Sequence, residues 1–105
     1  LRPGCTVGVP RGDNKALFPD VKLPIESNRY TSKIHGRFDK DDQGRWRYLA
    51  LGKYGTLVRY STAAENGWEV LEKGLKPYVL KTGDSIRFCG PEDIAENEVF
   101  TFVEG

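Results

Sequence analysis

Short runs in which apolar and polar residues alternate, each closed by a cluster of Gly, Pro, Asn or Asp, recur along the whole chain, and no stretch carries the 3.6-residue repeat of an amphipathic helix. Alternation sends successive side chains to opposite faces, so such runs can bury their apolar half only by lying side by side as strands. Residues 5–9 put Cys5, Val7 and Val9 on one face, and residues 33–39 do the same with Ile34 and Phe38. Further strands are expected over 45–51, 55–60, 68–71, 78–80, 85–89 and 99–103. Turn signals separate them: Pro10-Arg11-Gly12-Asp13-Asn14, Asp41-Asp42-Gln43-Gly44, Glu65-Asn66-Gly67 and Thr82-Gly83-Asp84. Many short strands joined this way predict an all-β sandwich or barrel with no confident helix.

A chain of 105 residues is one ordinary domain and can bury roughly two-thirds of its unfolded surface, so no disulfide or metal staple is needed. Starting at Leu1 rather than Met suggests a domain, residues 1–105, excised from a larger protein. Sixteen basic residues face 15 acidic ones, for a net charge of +1, which gives no global field for nucleic acid or anionic lipid. No apolar run reaches the roughly 20 residues of a membrane helix. Cys5 and Cys89 lack CxxC spacing, and the single histidine rules out a histidine-rich metal site, so no metal or cofactor is expected. Two readings of the cysteines stay open: reduced thiols packed in the core of an intracellular protein, or one long-range disulfide.

Two connections, 10–20 and 61–76, are longer than hairpins require, and recognition concentrates on such loops. A surface insertion is the simpler account of 61–76.

In chain order come Thr6-Val7-Gly8, Ser32-Lys33-Ile34-His35, Tyr54-Gly55-Thr56, Gly83-Asp84-Ser85-Ile86-Arg87-Phe88 and a closing Phe100-Thr101-Phe102. This order resembles the forkhead-associated (FHA) domain, whose pattern is a strand ending in Gly-Arg, a Ser-x-x-His, an Asn-Gly-Thr turn and a Gly-Asp before a late strand. The resemblance implies a β-sandwich of eleven strands in two twisted, mainly antiparallel sheets, with the first strand shortened or absent. Loops at one end would bind an extended phosphothreonine peptide, created by an upstream Ser/Thr kinase, and so recruit the parent protein, cytoplasmic or nuclear, to its partner. Ser32 would give its hydroxyl to the phosphate, and Lys33 a point charge. Gly8 and His35 would support the site, the latter by bracing the loop, and Gly55 would permit the tight turn.

Two positions depart from that pattern. Val9 stands where the family has its phosphate-binding arginine, leaving Arg11 as the nearest candidate and Arg29 as a second peptide contact. Tyr54 stands where an asparagine holds the peptide backbone, and Lys53 precedes it as a cation that could compensate. These departures support an alternative: a degenerate scaffold or oligomerisation module that binds without phosphate. Catalysis is not expected, because Ser32 and His35 on one strand would face opposite sides and no nearby carboxylate orients the imidazole. Trp46 and Trp68 read as core or loop anchors.

Overall fold

A computed structural model of the chain describes residues 2–29, 31–64, 66–74, 76–90 and 98–104. Its strands are β1 (Cys5–Gly8), β2 (Val21–Lys22), β3 (Gly36–Lys40), β4 (Trp46–Ala50), β5 (Thr56–Arg59), β6 (Glu69–Leu71), β7 (Tyr78–Val79), β8 (Ser85–Arg87) and β9 (Phe100–Thr101). They form an all-β sandwich of two sheets, ordered β2-β1-β3-β4-β7 and β6-β5-β8-β9, and every pairing except the parallel β1–β2 is antiparallel. Nine strands stand among the described residues, against the eleven that the resemblance implied. No α-helix occurs among them, only single 3-10 turns at Lys15–Leu17 and Ile25–Ser27.

Alternation places the core as expected. Cys5 and Val7 of β1 pair with Phe38 and Gly36 of β3, and Trp46, Tyr48 and Ala50 of β4 face the same interior. From the opposite sheet Val58, Ile86, Phe88 and Phe102 close the core. Val9, just past β1, is buried among them at 1% exposure. Both cysteines are buried and neither is disulfide-bonded, so the disulfide alternative does not hold.

The strand expected over 33–39 begins only at Gly36. Residues 32–35 form a bend instead, because the Ser32 N–H is taken by the His35 ring rather than by a neighbouring strand. Within the 61–76 connection, β6 pairs with β5 along Thr56↔Leu71, Leu57↔Val70 and Val58↔Glu69, so part of that segment completes a sheet. Of the expected turn at Glu65-Asn66-Gly67, Glu65 lies outside the described residues. The Gly83-Asp84 turn is fixed by the buried Asp84 carboxylate, which accepts the N–H groups of Ser61 (3.0 Å) and Lys81 (2.9 Å).

Tyr48 joins the two sheets. Its ring lies over Gly36, where any Cβ would overlap it, and its hydroxyl reaches Thr56 Oγ1 at 2.8 Å and the His35 carbonyl at 3.3 Å. The Tyr48 and Thr56 hydroxyls are sealed from water and depend on this contact for a partner, and burial accordingly raises the Tyr48 pKa. Tyr48→Phe removes one hydroxyl and leaves Thr56 buried without it. Urea titration should show a loss of about 1–2 kcal/mol in unfolding free energy; an unchanged midpoint would mean that the bridge contributes nothing.

Candidate functional site

The segment Thr31-Ser32-Lys33-Ile34-His35 leaves the core and returns to it within five residues, and both ends are anchored. At the first end the buried Thr31 hydroxyl donates to the Phe88 carbonyl (2.7 Å). At the other the His35 N–H donates to the Val7 carbonyl (2.8 Å). Between them the Val9 N–H donates to the Ser32 carbonyl at 3.1 Å. This flush packing against the end of β1 requires a glycine at position 8, since a Cβ there would sit 2.6 Å from the Ser32 carbonyl oxygen and overlap Lys33.

The His35 imidazole is the brace. Its Nδ1 accepts the Ser32 N–H at 2.9 Å, which leaves the ring proton on Nε2, and Nε2 donates to the Gly55 carbonyl at 2.6 Å. Gly52 makes room for the ring, because a Cβ at that position would fall 2.8 Å from the imidazole Cγ. Phe88 meets the ring edge-on, with centroids 6.1 Å apart. The His35 carbonyl accepts from the N–H groups of Leu51 (2.8 Å) and Gly52 (2.9 Å). A buried imidazole pays heavily for charge, so its pKa is pushed below 6.5, with the Gly55 bond opposing this weakly.

Both ring nitrogens are thus committed to backbone groups, and the imidazole has no lone pair to offer the Ser32 hydroxyl. The two residues do meet, unlike two residues of one strand facing opposite ways, but through a main-chain N–H rather than through a nucleophile and its base. That hydroxyl is half-buried and bonds to no described residue. No three His, Cys, Asp or Glu side chains gather as metal ligands among the described residues.

Arg11 reaches this loop from the 10–20 connection. Its Nη2 donates to the carbonyls of Arg29 (2.9 Å) and Thr31 (3.0 Å), the latter belonging to the peptide unit that ends at Ser32. Its Nε and Nη1 donors make no bond to a described residue. The backbone of Arg29 is therefore held while its side chain is exposed. Lys33 sets its Nζ 6.0 Å from the Phe18 ring centroid, and Lys22 does the same at 6.0 Å. Phe18 is not among the residues that the sequence singles out. Phe18 lies in an irregular loop where periodicity is silent, although a long loop carrying a large aromatic was a usable signal.

Lys53, Tyr54 and Gly55 form a second group. Gly55 has φ +81°, a left-handed geometry, and the Leu71 carbonyl lies 2.7 Å from where a Cβ would be. Tyr54 is 51% exposed, with Lys53 Nζ 5.4 Å from its ring centroid. These two side chains border a shallow depression shared with Val70, Glu72 and Lys73. The two groups are joined through His35, which spans from Ser32 to Gly55. Gly8, Arg11, Arg29, Ser32 and Lys33 thus gather at one loop, with Lys53 and Tyr54 at a neighbouring turn. The described ion pairs, Arg45–Asp41 and Arg47–Asp39, lie on β3, β4 and the turn between them, so no described carboxylate pairs with Arg11, Arg29 or Lys33.

Neither family models, nor curated proteins, nor solved structures yielded a match to this chain.

The chain's single histidine permits a clean pH test. Its pKa is lower folded than unfolded, so its contribution is complete above the ordinary value of 6.5 and is lost as pH falls below that value, where the unfolded chain takes up a proton and the folded chain does not. Between pH 7 and 5 unfolding free energy should fall by up to about 1.4 kcal/mol per pH unit. His35→Gln should flatten that slope, and equal slopes in both proteins would show that the ring is not held neutral.

Proposed function

We propose that this chain is a phosphothreonine-peptide-binding module of the FHA type, recruiting the protein that carries it to partners marked by a Ser/Thr kinase. The observation that carries the proposal is the Ser32 hydroxyl, which bonds to no described residue while the loop bearing it is held at both ends and braced by an imidazole. A phosphate offers three acceptor oxygens and about −1.5 to −2 charges, so it is best met by fixed donors and unpaired cations. Ser32 supplies a hydroxyl, Lys33 an ammonium, and Arg11 the donors its carbonyl contacts leave over. Little ordering of the loop remains to oppose binding.

The departures from the family pattern acquire physical content under this reading. Val9 belongs to the core, so the arginine role falls to Arg11, two residues further along the chain. Tyr54 and Lys53 would contact the peptide beyond the phosphate, with a phenol and a cation in place of an amide. The module would work by binding alone, without catalysis, cofactor, nucleic acid or membrane, in an intracellular signalling setting.

Calorimetric titration with phosphothreonine peptides and their unphosphorylated twins tests the proposal. Binding should require the phosphate, and Ser32→Ala should weaken it by about 1.5–3 kcal/mol, the loss of one charge-assisted hydrogen bond. Equal affinity for both peptide forms would favour the scaffold alternative, in which Val9 and Tyr54 mark a site that has given up phosphate.

A further inference from the structure

Strand β9 is the last of the β6-β5-β8-β9 sheet, and one side of it has no partner strand among the described residues. Its pairing with β8 decides which backbone groups are left over. The register Ile86↔Phe100 and Ser85↔Thr101 turns the Phe100 groups toward β8. The Phe102 N–H donates to the Asp84 carbonyl (2.8 Å), and its carbonyl accepts from Gly83 (2.8 Å). The Glu104 N–H turns the same way, to the Thr82 hydroxyl (3.0 Å). Within each trans peptide unit the N–H and C=O point in opposite directions, so the Val99 carbonyl and both groups of Thr101 and of Val103 point off the free edge. No described residue bonds to them. Side chains alternate as well: Phe100 and Phe102 pack into the core, whereas Val99 (42%), Thr101 and Val103 (68%) are exposed.

The other three sheet edges are guarded. Strand β2 carries Lys22 and is flanked by Asp20 and Pro24, β6 begins with Glu69 and is followed by Glu72 and Lys73, and β7 lies between Pro77 and Lys81. Charges and prolines of this kind keep sheet edges from joining. Between Val99 and Val103 there is no charge, no proline and no glycine, and the sequence Val-Phe-Thr-Phe-Val reads the same in both directions. An open apolar groove of about 290 Å³ lies beside it between the two sheets, bordered by Val21 and Leu23 on one side and by Phe100, Phe102 and Val103 on the other.

We propose that two copies of this chain join edge to edge through β9, antiparallel and two-fold symmetric about Thr101, so that their four-stranded sheets become one continuous sheet. A two-fold interface must match itself residue for residue, and a palindrome does so. Thr101 then faces Thr101 of the second copy and Val99 faces Val103, pairs of β-branched residues that suit neighbouring strands. These are the positions whose backbone groups are free, so they become the hydrogen-bonded pairs of the new ladder. Phe100 meets Phe102 of the second copy on the core side of the sheet, beside the groove, and each copy closes the other's open edge. Moving the centre to Phe100 or Phe102 would set Glu98 or Glu104 opposite a phenylalanine. With the centre at Thr101, Glu98 and Glu104 fall together at the ends of the ladder, and the Glu98 carboxylate is already turned aside to the Ser27 hydroxyl (3.0 Å). The contact uses no residue of the Ser32 loop, and so short a strand pair makes it weak and dependent on concentration.

Analytical sedimentation, with amide hydrogen exchange read by NMR, tests this on the chain as it stands. Over roughly 10 µM to 1 mM, where a small transient interface fills, the mass should rise toward twice that of one chain. The Thr101 and Val103 amides should gain protection over the same range, while those of Phe102 and Glu104, already bonded, should not. Thr101→Lys sets two ammonium groups face to face at an exposed position and should weaken association roughly tenfold or more, with unchanged exchange in β3 and β4 showing that the fold is intact. Glu104→Gln should tighten association about threefold by relieving the repulsion at the ladder ends. A monomer at the highest concentration, a dimer in which Thr101 and Val103 exchange as before, or a dimer indifferent to both substitutions would overturn the inference. So would protection of these amides at every concentration, the result expected if another segment of the same chain holds the edge.

Discussion

The His35 imidazole, buried and neutral between the Ser32 N–H and the Gly55 carbonyl, is the constraint on which the site end of the sandwich depends. A neutral imidazole has one donor and one acceptor on opposite edges, so it can span two loops that share no strand pairing. Here it sets the spacing between the bend at residues 32–35 and the turn at Gly55. Its own carbonyl, held by Leu51, Gly52 and the Tyr48 hydroxyl, ties the same residue to β4 and, through Tyr48 and Thr56, to the opposite sheet. The rigidity of the loop is thus continuous with the core.

Glycines make this arrangement possible by leaving space. Gly8 lets the Ser32 carbonyl approach β1, and Gly52 leaves room for the imidazole. A methyl group at either position would push apart the segments that His35 draws together. Arg11 completes the loop from the other side by binding the carbonyls that a bend leaves without strand partners.

Sandwich class and inward-facing residues were legible in the sequence because alternation is a local property, and Cys5, Val7, Phe38, Trp46 and Tyr48 obeyed it. Strand ends were not, since they depend on which groups find partners: residues 33–35 continue the alternation but bend because the Ser32 N–H goes to an imidazole. The grouping of Arg11 with Ser32 was only one of two options before the loop path was known. Trp68 reads as a core or loop anchor, and its place across the outer sheet face beside Arg59 and Arg87 is set by register between β5, β6 and β8, which a one-dimensional pattern does not carry. Phe18, with Lys22 and Lys33 each 6.0 Å from its ring centroid, lies in an irregular loop whose path periodicity does not carry.

One neutral imidazole holds the Ser32 loop in place and, under the proposed function, keeps it ready for a phosphate. Long-range ¹H–¹⁵N NMR of the His35 ring, recorded at neutral pH with and without a phosphothreonine peptide, tests it most directly. The account predicts a proton on Nε2 and an unprotonated, accepting Nδ1 in both states, with the Ser32 amide resonance moving when peptide is added. A proton on Nδ1, or peptide-induced shifts that leave Ser32 untouched, would contradict it.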